Sequence, residues 1–239
     1  MIEELWPNGP RFIYADDVIN PGIDSILLAN FAKISNTRKK KRVIDLGCGS
    51  GIIPILLAFG NDSIQVDAIE LQPHAVRLAN ENAELNGISS RIKVLEGDVR
   101  HHREYYDRGF FDVSISNPPY YGQGRGKDSA NSRIATARVE KTCSIEDICI
   151  AAAYLTRWGG SFFLVHLPQR LTEVLLSLKA ADLEPKRLKF VHHNIKAQPS
   201  LVLIESRRGG KPSLTVEAPL LITNLDGSDT EEMTKIFRR

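Results

Sequence analysis

The sequence predicts an α/β fold: a mostly parallel sheet of about seven strands with helices on both faces. Three observations predict it. Strand-like and helix-like segments alternate from about residue 42 onward, the first strand runs into a glycine-rich turn that opens a helix, and carboxylates stand at the ends of three successive strands.

The elements follow in order. Val43-Ile44-Asp45-Leu46 is a short apolar run ending in glycines and reads as the first strand. Ile52 to Phe59 reads as a helix, with Pro54 in its first turn, where a missing N–H costs little. The second strand is Gln65 to Glu70. Pro73 opens a helix, His74 to Asn86, whose Ala75, Val76, Leu78, Ala79, Ala83 and Leu85 share one side, and Gly87 ends it. Ile92 to Leu95 and Phe111 to Ile115 are the third and fourth strands. Ser144 as N-cap and Asp147 three residues on predict a helix to Trp158, stopped by Gly159-Gly160. Ser161 to His166 is the fifth strand, Gln169 to Ala181 a helix, and Arg187 to Val191 and Ser200 to Glu205 the last two strands. Residues 1–239 read as one domain: an N-terminal extension (1–41) with a helix from Gly22 to Lys33, a core (42–206), and a tail (207–239) with one short strand, Leu214 to Val216, then polar sequence.

Composition excludes several classes. No apolar run approaches the roughly 20 residues that span a bilayer, and the N-terminus, with Glu3, Glu4, Pro7 and Pro10, does not resemble a signal peptide. A cytoplasmic protein is expected. The three cysteines, Cys48, Cys143 and Cys149, have no metal-type spacing, and an odd number suits reduced thiols. The pairs His101-His102 and His192-His193 also lack a ligand pattern, and no metal is expected. A formal charge of +2 permits a nucleic-acid partner without requiring one.

Asp45-Leu46-Gly47-Cys48-Gly49-Ser50-Gly51 lies between a strand and a helix, where a tight turn lets a ligand approach the backbone. A dinucleotide fingerprint needs a glycine at 52, but Ile52 stands there. NAD and FAD are disfavoured. S-adenosylmethionine has no pyrophosphate to seat, and suits a loop that packs on a ribose and an amino-acid moiety. Asp45 is a candidate for its ammonium, Glu70 for the ribose hydroxyls and Asp98 for the adenine amine, with Gly47, Cys48, Gly49, Gly51, Leu71, Val99 and Asn117 as neighbours. Each carboxylate taken singly is also an ordinary cap or surface charge.

The fourth strand ends in Asn117-Pro118-Pro119-Tyr120. Taken alone this is also a rigid turn. An exocyclic aromatic amine is a poor nucleophile because its lone pair is delocalised into the ring. The Asn117 side-chain oxygen and the Pro118 carbonyl can each accept one of its N–H groups and make the nitrogen more tetrahedral, with Tyr120 as a stacking face. Such a base has to leave its stack to reach the site.

Together, Asp45 to Gly51, Glu70, Asp98 and Asn117 to Tyr120 resemble the ordered motifs of class I, Rossmann-like, S-adenosylmethionine-dependent methyltransferases. The resemblance implies that the last strand inserts antiparallel between its neighbours, and residues 187–205 suit such a hairpin. The tetrapeptide also occurs in enzymes that act on DNA adenine, release-factor glutamine and ribosomal guanine. Only about 40 residues precede the glycine loop, leaving no room for a helical release-factor domain, and no segment is long enough for a DNA target-recognition domain. The chain more closely resembles the bacterial tRNA1(Val) (adenine-37-N6)-methyltransferases, through Gly22-Ile23-Asp24-Ser25-Ile26-Leu27-Leu28, Ala137-Arg138 with Glu140, and Leu201-Val202-Leu203-Ile204-Glu205. Val139 departs from the histidine expected there. The resemblance implies N6 methylation of an adenine in tRNA. Methylation of a ribosomal RNA amine, of a protein glutamine, and a noncatalytic RNA-binding role remain open alternatives.

The stretch Gly122 to Arg133 is rich in glycine, serine and charge and reads as a mobile loop or plain connector. Tyr121, Arg125, Lys127, Arg133 and Arg138 are candidate contacts to substrate RNA. The run Arg38 to Arg42 is either a second such patch or a solvated connector.

Overall fold

The computed structural model describes residues 2–13, 22–34, 39–120 and 143–237. Tyr121, Arg125, Lys127, Arg133 and Arg138, the expected loop and Arg38 lie outside the described residues.

Strands β3 (Lys41–Leu46), β4 (Ile64–Glu70), β5 (Ile92–Glu96), β6 (Phe111–Ser116) and β7 (Thr156–His166) pair in parallel in the order β7-β6-β3-β4-β5. β8 (Leu183–His192) and β9 (Pro199–Arg208) form the hairpin expected from the resemblance: β9 runs antiparallel between β7 and β8. Alternation of side chains explains why both faces are covered. Along β7, Phe163 and Val165 enter one apolar cluster while Phe162 and Leu164 enter the other. Leu201 and Leu203 of β9 join the first, and Val202 and Ile204 the second. The first cluster is roofed by α1 (Ile23–Ala32) and α2 (Ile52–Ala58), the second by α5 (Ile145–Leu155) and α6 (Leu171–Ala180). The helices α3 (Pro73–Leu85) and α4 (His102–Tyr105) lie between these pairs in the chain.

Four differences from the sequence reading have local physical causes. The helix after Ser144 ends at Leu155 rather than Trp158, although its capping box is as expected. The next residues already belong to β7, which bulges between the pairs Phe111↔Thr156 and Val113↔Ser161. Gly159 takes φ +73° in that bulge, and a Cβ on Gly160 would stand 2.6 Å from the Asp112 carbonyl oxygen, so these glycines permit the bulge rather than stop a helix. The helix expected from Gln169 starts only at Leu171, because Pro168–Arg170 form a 3₁₀ turn. The N-terminal extension also contains a hairpin, β1 (Ile2–Glu4) and β2 (Arg11–Ile13), which α3 grips: Ile13 N donates to Asn82 Oδ1 at 2.7 Å and Arg11 N to Asn86 Oδ1 at 2.8 Å. The tail carries two strands, β10 (Thr215–Val216) and β11 (Leu220–Leu221), both parallel to β8, and a helix α7 (Glu231–Ile236) whose Met233 and Ile236 are buried in the first cluster. Among the described residues, no helix is long and apolar enough to cross a membrane.

Candidate functional site

The glycine loop, the ends of β4 and β5, and the turn after β6 meet at the C-terminal edge of the parallel strands, where an open α/β sheet offers a crevice. A small pocket opens to solvent there. Gly47 forms one wall, Glu70 and Leu71 a second, Asp98 and Val99 a third, and Pro118 and Pro119 a fourth, with Ile148 of α5 closing it. Residues expected from four separate motifs thus share one cavity.

The loop takes this shape because its glycines adopt left-handed backbone: φ is +80° at Gly47, +53° at Gly49 and +83° at Gly51. A Cβ on Gly51 would stand 3.0 Å from that of Ala79, so α3 packs against this position. Nothing lies within 4 Å of such an atom on Gly47 or Gly49, which leaves their backbone open to a ligand. Asn82, fully buried, ties the loop to α3 by donating from Nδ2 to the Ser50 carbonyl at 3.0 Å.

The three carboxylates differ in what holds them. Asp45 is fully buried and neither of its oxygens has a hydrogen-bond partner. Burial, reinforced by the nearby negative charge of Glu70, pushes its carboxyl well above the usual range. A buried carboxylate without a partner fits a cation or hydrogen-bond donor brought by a ligand. Glu70, also buried, accepts from Gly49 N at 2.8 Å through Oε2 and from Gln72 N at 2.9 Å through Oε1, so it braces the glycine loop and the start of α3. Each of its oxygens keeps a lone pair for a further donor. Asp98 is held by Arg100, whose Nε lies 3.1 Å from Oδ1 and 3.0 Å from Oδ2; this hydrogen-bonded guanidinium keeps the carboxyl below its ordinary value. Leu71 stays 43% exposed beside Val99, which gives the pocket an apolar wall.

Asn117 begins the turn after β6, and its amide spans two groups: Nδ2 is 2.9 Å from Ser25 Oγ and Oδ1 is 2.7 Å from the Tyr120 hydroxyl. The same hydroxyl is 2.6 Å from Asp24 Oδ2. The Tyr120 ring meets the His166 ring at 61°, with centroids 5.5 Å apart, and Arg170 Nη1 donates to the Tyr120 carbonyl at 3.0 Å. His166 is buried, and its Nδ1 accepts from Leu167 N at 2.8 Å. Burial, with the positive charge of Arg170, pushes its pKa down to about 4. Asp24, Ser25, His166 and Arg170 were not marked as site residues by the sequence. The Gly22–Leu28 segment carries the family likeness, but no periodicity places it against residues 92 to 96 positions later.

His102 is buried with Nδ1 against the Val99 carbonyl at 2.9 Å, and His192 lies beside the Ala197 carbonyl at 2.8 Å, so one histidine of each pair serves local packing. No group of three or more metal-ligating side chains is positioned around a common point among the described residues. Arg42 lies 4.2 Å over the Phe110 ring, a structural role within the basic run.

Gly47 of the glycine loop, the carboxylates Glu70 and Asp98, and the Pro118-Pro119 turn thus line one crevice of an α/β sheet. The chain belongs to the methyltransferase small domain family, whose family model matches residues 11–166. It is similar to curated proteins named tRNA1(Val) (adenine(37)-N6)-methyltransferase. One from Tolumonas auensis is 30% identical over 214 residues, covering 88% of this chain and 85% of that protein. One from Actinobacillus pleuropneumoniae serotype 5b is 37% identical over 169 residues, covering 70% and 67%. Among solved structures, a predicted O-methyltransferase from Agrobacterium tumefaciens matches with a TM-score of 0.73 at 22% identity, over 90% of this chain and 95% of that one. At that identity the likeness is one of fold.

Proposed function

We propose that this protein transfers the methyl group of S-adenosylmethionine to the exocyclic N6 of an adenine in tRNA, at the nucleotide for which its relatives are named, adenine 37 of tRNA1(Val). The observation that carries the reading is the shared pocket, in which the Pro118-Pro119 turn faces the carboxylates that end β4 and follow β5.

The cofactor supplies an electrophilic methyl group on a sulfonium. Asp45, buried without a partner, suits the ammonium end. Glu70 offers one remaining lone pair on each oxygen to a pair of vicinal hydroxyls, and Asp98 and the Leu71 and Val99 walls suit an adenine ring. Cys48 and Gly51 belong to the loop that frames this end.

On the substrate side, the Asn117 amide oxygen and the Pro118 carbonyl accept the two N–H groups of the target amine and direct its lone pair at the methyl carbon. Pro119 keeps the turn rigid and Tyr120 holds Asn117 in place. When bound, the cofactor would supply the methyl group to this nitrogen with a neutral thioether as the leaving group. The methylated nitrogen is then acidic and releases a proton to its acceptors or to water, so no strong base is needed. The target base has to swing out of its stack to reach this turn. Tyr121, Arg125, Lys127, Arg133 and Arg138 are proposed contacts to the surrounding RNA on their charge and stacking chemistry. We read residues 1–239 as one working unit, because the N-terminal hairpin and the tail helix pack on the same core, and its working compartment as the cytoplasm, where tRNA is modified.

The test is transfer of labelled methyl groups to tRNA from a strain lacking this protein, with nucleoside analysis and mapping of the product. N6-methyladenine at a single tRNA position is the expected result. Label found only in a protein glutamine or in ribosomal guanine refutes the reading.

A further inference from the structure

The Tyr120 hydroxyl has one proton, yet it lies 2.6 Å from Asp24 Oδ2 and 2.7 Å from the Asn117 amide. Oxygen atoms at such distances repel unless a proton lies between them. An ionised Asp24 is an acceptor only, so the hydroxyl proton goes to it. The end of the Asn117 amide that faces Tyr120 must then be a donor. A planar amide turned over exchanges its oxygen and nitrogen at nearly the same positions, so the demand is met without moving the chain. After the turn, the Ser25 hydroxyl, 2.9 Å from the other end of the amide, donates to the amide oxygen, and every group has a partner.

We propose that Asp24 and Ser25, at the start of α1, are positioning residues that set which way the Asn117 amide faces: Asp24 by taking the Tyr120 proton, and Ser25 by donating to the Asn117 oxygen. The inference rests on the reading of Asn117 as the acceptor of the target amine. The amide oxygen has two lone pairs. Ser25 occupies one and the other remains for the substrate, so the oxygen is presented in one direction before the base arrives.

Tyr120 is anchored for this task from its other sides. Arg170 fixes the backbone through the Tyr120 carbonyl and His166 packs on the ring, so the hydroxyl cannot swing away from Asp24 without giving up the His166 contact. Asp24 also accepts from Ser25 N at 2.9 Å through Oδ1, which keeps the carboxylate pointed with Oδ2 toward the hydroxyl.

The decisive variant is Asp24→Asn, which keeps the shape and the acceptor for Ser25 N. Its new amide can donate to Tyr120, and the Tyr120 proton then returns to Asn117 and turns that amide the wrong way. We expect kcat for tRNA methylation to fall at least tenfold with S-adenosylmethionine affinity within twofold of the parent, and Ser25→Ala to fall in the same direction. In a Tyr120→Phe background Asp24→Asn should add nothing, because the link is already cut. Full activity of Asp24→Asn, or a loss that multiplies with that of Tyr120→Phe, overturns the proposal.

A readout independent of activity is the side-chain amide signal of Asn117 in a protein with ¹⁵N-labelled asparagine, assigned by its disappearance in Asn117→Ser. It should shift on Asp24→Asn in the parent and stay in place in the Tyr120→Phe background. An inactive parent whose signal still shifts this way sinks the tRNA reading and upholds the positioning; an active parent whose signal ignores Asp24→Asn does the reverse. Thermal melting and cofactor affinity verify folding, and if Asp24→Asn does not fold, Ser25→Ala carries the test, with wild-type kcat as the overturning result.

Discussion

Replacing Glu70 by alanine tests the carboxylate that both braces the loop and faces the pocket. Glu70 accepts from the backbone N–H of Gly49 and of Gln72, at 2.8 and 2.9 Å. A hydrogen bond to a charged acceptor contributes about 1.5–3 kcal/mol, and an N–H left without a partner costs less when water can reach it. The pocket admits water, so the lower end applies, and the ligand-free protein should lose about 3 kcal/mol for the two bonds together. Glu70→Gln retains a single acceptor oxygen and should lose about half as much. Urea unfolding without cofactor reads the first effect. Calorimetric titration with S-adenosylmethionine reads the second: the dissociation constant should rise at least tenfold for the alanine variant, through the misplaced loop and the lost hydroxyl contacts. Removing Glu70 also removes a negative neighbour that raises the Asp45 carboxyl, so a second strain is relieved and partly offsets the loss. Unchanged unfolding midpoints for both variants would falsify the bracing argument, whatever the cofactor affinity.

Three further outcomes follow from other parts of the site. Asn117→Ala should lower kcat on the order of 100-fold, the scale of a misplaced reacting group, with cofactor affinity nearly unchanged; an equal loss of both would move Asn117 to the cofactor side. Gly51→Ala forces a side chain into φ +83° with Ala79 at 3.0 Å, and should cost about 1–2 kcal/mol by urea unfolding. A neutral result there would mean that the loop re-forms. His166 is depressed to about 4 from its ordinary 6.5, so the unfolded chain binds the proton first: its contribution is full above pH 6.5 and is lost as pH falls toward 4. Between pH 7 and pH 5 this removes about 2 kcal/mol. His166→Asn, which keeps an acceptor for Leu167 N but does not titrate, should flatten that slope, and an identical slope in the variant would exclude His166 as its source.

The order of elements was legible from residue 42 to about 206 because buried strands repeat their apolar residues and punctuate with glycine and proline. Val43-Ile44 and Phe162 to Val165 sort to opposite faces simply by their spacing of two. The glycine loop and the pocket carboxylates were legible for a related reason: a left-handed turn at a strand end demands glycine, and a carboxylate just past a strand falls at the crevice. The family likeness added the reversed hairpin, which no periodicity contains.

Short range limits what a chain discloses by itself. β1, β2, β10 and β11 are two or three residues long, too brief for a period; β1 pairs with β2, which α3 holds, and β8 supplies the partners of β10 and β11. α7 reads as polar sequence; burial of Met233 and Ile236, the Thr230 cap and the Lys189–Glu232 ion pair hold it. The Arg157–Gly160 bulge is decided by the pairing of β7 with β6, since the same glycines stop a helix equally well. At the site, the sequence by itself determined which groups are chemically able to act: Asp45, Glu70, Asp98 and Asn117. Only the tertiary structure decided their state. It left Asp45 without a partner, gave Glu70 two backbone donors, bound Asp98 to Arg100, and brought Asp24 and Ser25 from α1 against Asn117 and Tyr120. Hydrogen bonds reach about 3 Å and do not depend on separation along the chain, so the partners of a side chain are set by packing rather than by its neighbours in sequence.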